Sequence, residues 1–169
     1  VAGTFFGLWL LPLGYLLLRS GSAPRALAVL VMVGSFGYVA DLVAILRECR
    51  RLLRPDGAMS SRIDLRDHYS YFDSGISQYN FLRFGGRTWR LLNSSLHYQS
   101  RLRWTDYLEA FSAAGFVVVT EDAVRPGEHQ LARLRELRPA ASFRLYPLED
   151  LEVTALALVA KPAPSPDAA

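Results

Sequence analysis

The stretch Leu46-Arg47-Glu48-Cys49-Arg50-Arg51-Leu52-Leu53-Arg54-Pro55-Asp56-Gly57, followed by Met59 to Leu65, decides how this chain is read. Leu42, Val43, Leu46, Cys49 and Leu53 recur at three- and four-residue spacing, while Arg47, Glu48, Arg50, Arg51 and Arg54 fall largely elsewhere around the helix. That is an amphipathic pattern, with one stripe to bury and the rest for water. Arg54-Pro55-Asp56-Gly57 supplies a turn, because Pro presets φ and Gly lacks the side chain that would clash. Met59 to Leu65 then reads as a short strand.

Downstream, residues 66–103 are polar-aromatic and irregular; Phe84-Gly85-Gly86-Arg87 fits either a hairpin or a loop with short helices. Thr105 has the chemistry of a helix cap, and Trp104, Leu108 and Phe111 mark one face of the helix after it. Gly115 is the expected stop of that helix. Val117-Val118-Val119-Thr120 is a strand by β-branching. Pro126-Gly127 introduces a short helix with Leu131 and Leu134 inward, ending at Pro139. Val153 to Ala160 is apolar without alternation, which predicts a strand covered on both faces. Residues 162–169 have the composition of a disordered tail. The predicted order is helix, strand, long insertion, helix, strand, helix, strand: an α/β fold.

Upstream the chain changes character. Of 19 basic and 16 acidic residues, only Arg19 and Arg25 lie in residues 1–40. Val1 to Leu18 is an uncharged run of 18 residues and Ala26 to Ala40 one of 15. As a helix the first run would cover ~27 Å, close to the hydrocarbon thickness of a bilayer. No basic residue precedes it and a second apolar run follows, so a signal peptide fits poorly. The expectation is an apolar, transmembrane helical hairpin over 1–40, placing the chain in a bacterial inner membrane with its α/β part cytoplasmic. The rival reading is a buried hairpin in a cytoplasmic protein. The chain opens on Val1, which points to a fragment, a fused frame or an alternative start.

The remaining composition excludes several classes. With 51% apolar residues, 21% charged and a net charge of +3 over 169 residues, the chain is not intrinsically disordered and lacks the basic excess of a nucleic-acid binder. One cysteine, Cys49, excludes an intrachain disulfide and a multi-cysteine zinc site.

Two resemblances follow from particular words. Gly7-Leu8-Trp9-Leu10-Leu11-Pro12-Leu13-Gly14-Tyr15, with Ser20-Gly21, Pro24-Arg25 and Gly34…Gly37-Tyr38, resembles the last part of a multi-span bacterial membrane family of unassigned function. Residues 41–161 resemble the C-terminal half of a class I S-adenosylmethionine-dependent methyltransferase. The words are Leu46 to Gly57 before a strand, Ile63-Asp64-Leu65-Arg66-Asp67-His68-Tyr69, Asn93-Ser94, Tyr98, Arg101-Leu102-Arg103, and the helix running into Ala114-Gly115-Phe116. The resemblance implies a partial Rossmann-like sheet, the last three of seven strands with flanking helices. It also implies S-adenosylmethionine as the parent family's cofactor. The family's Gly-rich loop and ribose-binding acidic residue should lie upstream of Leu46, where only the apolar hairpin stands. The chain alone is therefore expected to bind no cofactor and to be inactive. Its alternative is a small integral membrane protein carrying an interaction module.

Asp64, Asp67 and His68 lie just past a strand's carboxyl end, where open α/β sheets place their ligand crevices. His68 is the natural base, with Asp64 or Asp67 to orient it. The plainer alternative is that the aspartates cap the turn and His68 is a hydrogen-bonding residue. The resemblance makes Tyr69, Asn93, Tyr98, Arg101 and Arg103 candidate binders of a small-molecule acceptor. Asp64, Asp67, His68 and His97 match no sharp metal spacing. The aromatic stretch from Tyr69 to Tyr98 with its arginines reads either as an acceptor pocket or as a packed insertion whose arginines are solvated or pair with Asp73 and Asp106. Cys49 is a core or boundary residue, and Ser94 and Ser95 lack a nucleophile elbow. The first strand, without its usual neighbour, leaves an apolar edge for self-association.

Overall fold

A computed structural model describes residues 42–54, 56–93 and 99–164. The apolar runs of 1–40 lie outside the described residues, as do Ser94, Ser95, His97, Tyr98 and the last five residues. No helix among the described residues is long and apolar enough to cross a membrane.

Helix α1 spans Leu42–Leu52 and buries Leu46 and Cys49, the centre of the predicted stripe. On its outer side Arg51 bonds Glu48 at 2.6 and 2.9 Å. The turn closes where the Gly57 N–H donates to the Arg54 carbonyl at 2.9 Å. A Cβ on Gly57 would stand 3.0 Å from that same oxygen, so glycine is the residue that lets the chain pass. Strand β1 is Met59–Asp64, β2 is Phe116–Val124 and β3 is Ala155–Pro162.

The last strand sits in the middle. The sheet order is β1-β3-β2, and β3 runs antiparallel to both neighbours, so β1 and β2 point the same way. Leu156 lies between Ile63 and Ala123, and Ala160 between Met59 and Val118, with an irregularity in β2 between Val118 and Thr120. Helix α3, Trp104–Ala113, joins β1 to β2 and packs with α1 on this face. There Leu46, Cys49, Tyr107, Phe111, Leu156 and Leu158 form a continuous core.

That arrangement corrects one expectation. Leu156, Leu158 and Ala160 are buried, but Ala155, Ala157 and Val159 remain half-exposed, so β3 is covered on one face rather than both. The apolar residues on the second face are mostly small, which hid the alternation. Along β1, Ser60, Arg62 and Asp64 are exposed and alternate with half-buried Met59, Ser61 and Ile63.

Helix α3 begins two residues earlier than a Thr105 cap would allow. Arg103 holds the cap position, and its N–H donates to Asp106 at 2.7 Å. The Thr105 hydroxyl instead donates to Asp150 at 2.6 Å. The helix ends as expected at Gly115, whose φ of 82° is the left-handed conformation that suits glycine. Residues 84–87 close no hairpin. Gly85 caps helix α2, Gly86–Leu92.

A second core lies beyond the sheet. Tyr79, Phe81, Leu82, Trp89, Leu134, Phe143 and Leu151 draw the insertion against helix α4, Glu128–Glu136, and helix α5, Leu148–Leu151. Leu134 is buried and Leu131 half-buried, as the pattern predicted. Phe81 meets Phe143 edge-on at 6.2 Å and Trp89 at 6.3 Å, geometries that add to plain area burial. The insertion is a packed aromatic unit.

Candidate functional site

The chain leaves β1 at Asp64, and Leu65 closes the register by donating to the Thr154 carbonyl at 2.9 Å. Asp64 accepts from the Arg66 backbone N–H at 3.1 Å, from Arg66 Nε at 3.0 Å and from the Tyr71 hydroxyl. Burial pushes its carboxyl up, but the bonds from Arg66 and Tyr71 together outweigh that and hold it below the ordinary range. Tyr71 is pushed up to about 12 by burial and by the carboxylate it serves.

The sign of the resulting pH dependence follows. A carboxyl depressed in the folded state stabilises above its unfolded value of ~3.9 and loses that contribution as pH falls through the folded value. The Asp64 and Arg66 side chains are each 34% exposed, so screening keeps the effect under ~1 kcal/mol. Asp64→Asn should flatten the fall in urea midpoint below about pH 4. An unchanged acid slope would show that Asp64 does not contribute.

Asp67 is committed elsewhere. At 1% exposure it caps the 3-10 turn His68–Tyr71, accepting from the Tyr69 N–H at 2.9 Å and from Asn80 Nδ2 at 3.1 Å. Both oxygens thus hold the loop closed, as in the capping alternative. His68 is half-buried, its backbone N–H donating to Gln99 Oε1 at 3.1 Å and its ring centroid 6.2 Å from that of Tyr71. Tyr69 is 41% exposed at the rim.

Gln99 is the hinge of the site, and sequence reasoning missed it. Its buried amide donates to the Arg66 carbonyl at 2.8 Å while accepting from His68. Asn93 grips the Gln99 backbone on both sides, accepting its N–H at 2.8 Å and donating to its carbonyl at 3.1 Å. The loop after β1 and the strand-like segment 99–103 are therefore joined through two side-chain amides. Asn93 serves as that clamp.

Arg101 and Arg103 part company. Arg101 lies 5.0 Å from the ring centres of both Trp89 and Phe143 and donates to the Phe84 carbonyl. Arg103 is fully buried and donates to the carbonyls of Leu65 at 3.0 Å, Leu151 at 3.2 Å and Val153 at 2.6 Å. Burial pulls its guanidinium down from the ordinary value, with the Asp150 carboxylate opposing most strongly. Arg103 is thus out of reach of a ligand at the surface, which corrects its assignment as an acceptor binder.

The packed-insertion reading had the arginines solvated or paired with Asp73 and Asp106, and Arg83, Arg87 and Arg90 are exposed, in keeping with its first branch. Asp73 accepts from the Gly75 N–H, and Asp106 from the Arg103 N–H and from the Tyr146 hydroxyl at 2.9 and 3.0 Å. Backbone carbonyls and rings take the guanidiniums of Arg101 and Arg103, which folding brings to those acceptors.

Beside this joint opens a cleft of about 580 Å³. Leu42 and Ile45 of α1 form one wall, Tyr107, Phe143 and Tyr146 others, and Arg101 and Asp106 supply charge. Among the described residues, no group of three His, Cys, Asp or Glu gathers as a metal site.

Residues 1–58 match a domain of unknown function, DUF4386. The match takes in the apolar N-terminus, α1 and the turn after it. No curated protein matches the chain.

Proposed function

We propose that residues 41–161 are the acceptor-side half of a methyltransferase-like domain and that the chain alone does not hold the methyl donor. The observation that carries this reading is the organised end of β1. The loop from Asp64 to Tyr71 is locked by Gln99 and Asn93, and Ser100 to Leu102, which follow Gln99, line a cleft of ligand size. Transfer between two small molecules depends mainly on holding them in line, and a base is needed only where the acceptor must lose a proton. His68 is the residue offered for that proton. Asp67 positions the loop and leaves His68 in place through the cap.

S-adenosylmethionine supplies an electrophilic methyl group in the parent family, and the described residues do not fit it. Leu65 to Asp67, the turn after β1, contains no glycine, and Asp67 is buried in its cap. After β2 the chain turns at Arg125-Pro126-Gly127 directly into α4. Neither turn offers a glycine cradle with a free carboxylate beside it, so no step is routed through the donor.

Calorimetric titration of the full chain with S-adenosylmethionine tests the proposal. The expected result is no saturable heat. Binding at micromolar Kd would overturn the donorless reading.

A further inference from the structure

We infer that the cleft between α1 and the start of α3 binds a small aromatic ring carrying a hydroxyl group, with Asp106 accepting the hydroxyl proton's hydrogen bond. The inference rests on the acceptor-side reading only in making this ligand the acceptor, with its hydroxyl at Asp106 rather than at His68, which does not line the cleft; the binding itself needs no methyl donor. At about 580 Å³ the cleft suits a small organic molecule. Its walls include Ile45, Tyr107, Phe143 and Tyr146, and the Phe143 and Tyr146 rings lie 6.2 Å apart with a 35° tilt. Flat apolar walls of this kind favour a planar guest.

The polar anchor is specific. Asp106 is half-buried and already held from behind by the Arg103 N–H on Oδ2, which fixes its carboxylate at the first turn of α3. Tyr146 donates one hydroxyl proton shared between both oxygens. A carboxylate has about four acceptor sites, so it retains capacity for a donor entering the cleft. Tyr146, pushed up to about 12 by burial and by Asp106, stays a donor across the physiological range. It therefore leaves Asp106 as the acceptor for the guest. Other charges near Asp106 include Arg101, at the cleft wall, Arg103, sealed beneath it, and the buried Asp150 carboxylate, which also acts on Tyr146.

The probes are phenol and anisole, which share a ring but differ in the donor. Binding is measured by NMR on the full chain in detergent micelles, following the backbone N–H signals of Asp106 and Tyr146. Phenol should bind roughly tenfold or more tighter than anisole, as expected of a hydrogen bond to a charged acceptor. Asp106→Asn, which keeps an oxygen for Arg103 and Tyr146, should bring the two probes within about threefold. Tyr146→Phe removes the competing donor and should preserve or widen the ratio. Equal binding of the probes, an unchanged ratio in D106N, a lost ratio in Y146F or no saturable binding would each overturn the inference. Binding of S-adenosylmethionine to the chain would overturn the donorless reading above and leave the phenol-to-anisole ratio as it is.

Discussion

Arg103→Met is expected to destabilise the chain by about 3–5 kcal/mol, the range seen when one member of a buried charged network is removed. The guanidinium is fully buried and bridges three carbonyls from two distant parts of the chain, Leu65 on one side and Leu151 and Val153 on the other. Methionine fills much of the volume of the side chain but donates nothing. Those oxygens would lose a charge-assisted bond in a place water does not reach. Arg103 also stands 5.4 Å over the Phe81 ring, a contact strengthened by the absence of solvent. Arg103→Lys should fall between the two, since one ammonium on a flexible stem cannot span the same fork of acceptors. Urea unfolding reads the result: a midpoint lowered by more than about 1 M is expected at ordinary denaturant slopes. A midpoint within about 0.3 M of the parent chain would show that the carbonyls find other donors.

The buried position of Arg103 could not be seen in the sequence, and the reason is physical. Helix α1 was legible because Leu46 and Cys49 sit on one stripe, and Gly115 because a helix end needs the left-handed conformation. Strand β2 contains the β-branched Val117–Thr120 stretch that marked it, and runs on from Phe116 to Val124. These are local causes. The place of β3 between β1 and β2 is not local, since it is set by which strands share a face after folding. Segment 99–103 goes further and inverts the usual rule. Gln99 and Arg103 are buried and Arg101 half-buried, while Ser100 and Leu102 face outward. Period-two alternation was present, but with the polar residues inward. Only the carbonyls waiting at Leu65, Leu151 and Val153, remote in the chain, make that inversion favourable. The candidate site was legible to a similar depth. Asp64, Asp67 and His68 do lie at the end of β1, yet Gln99, which ties His68 in place, carries no motif of its own.

Asp150→Ala should be the second large effect, about 2–4 kcal/mol, because it removes a buried acceptor from two partly buried donors at once. Asp150 is 1% exposed in α5 and takes the Thr105 N–H at 3.2 Å and hydroxyl at 2.6 Å. Its charge is also the strongest force opposing the desolvation of Arg103. The two roles separate by substitution. Asp150→Asn keeps an oxygen for the Thr105 N–H, removes the charge and turns the oxygen facing the Thr105 hydroxyl into an NH2, so the cycle with Arg103, rather than the single loss, isolates the charge. A double-mutant cycle of D150N with R103M should then be non-additive by about 1–3 kcal/mol, because R103M leaves a buried carboxylate without its compensating cation and D150N relieves it. Urea unfolding of the four chains measures this directly. Additivity within about 0.5 kcal/mol would make Asp150 a helix-start acceptor alone. Coupling would mean that the end of β1, the first turn of α3 and the approach to β3 are held by one charged joint. The wall of the cleft that carries Asp106 would then inherit its rigidity from a pair of residues that never touch the ligand.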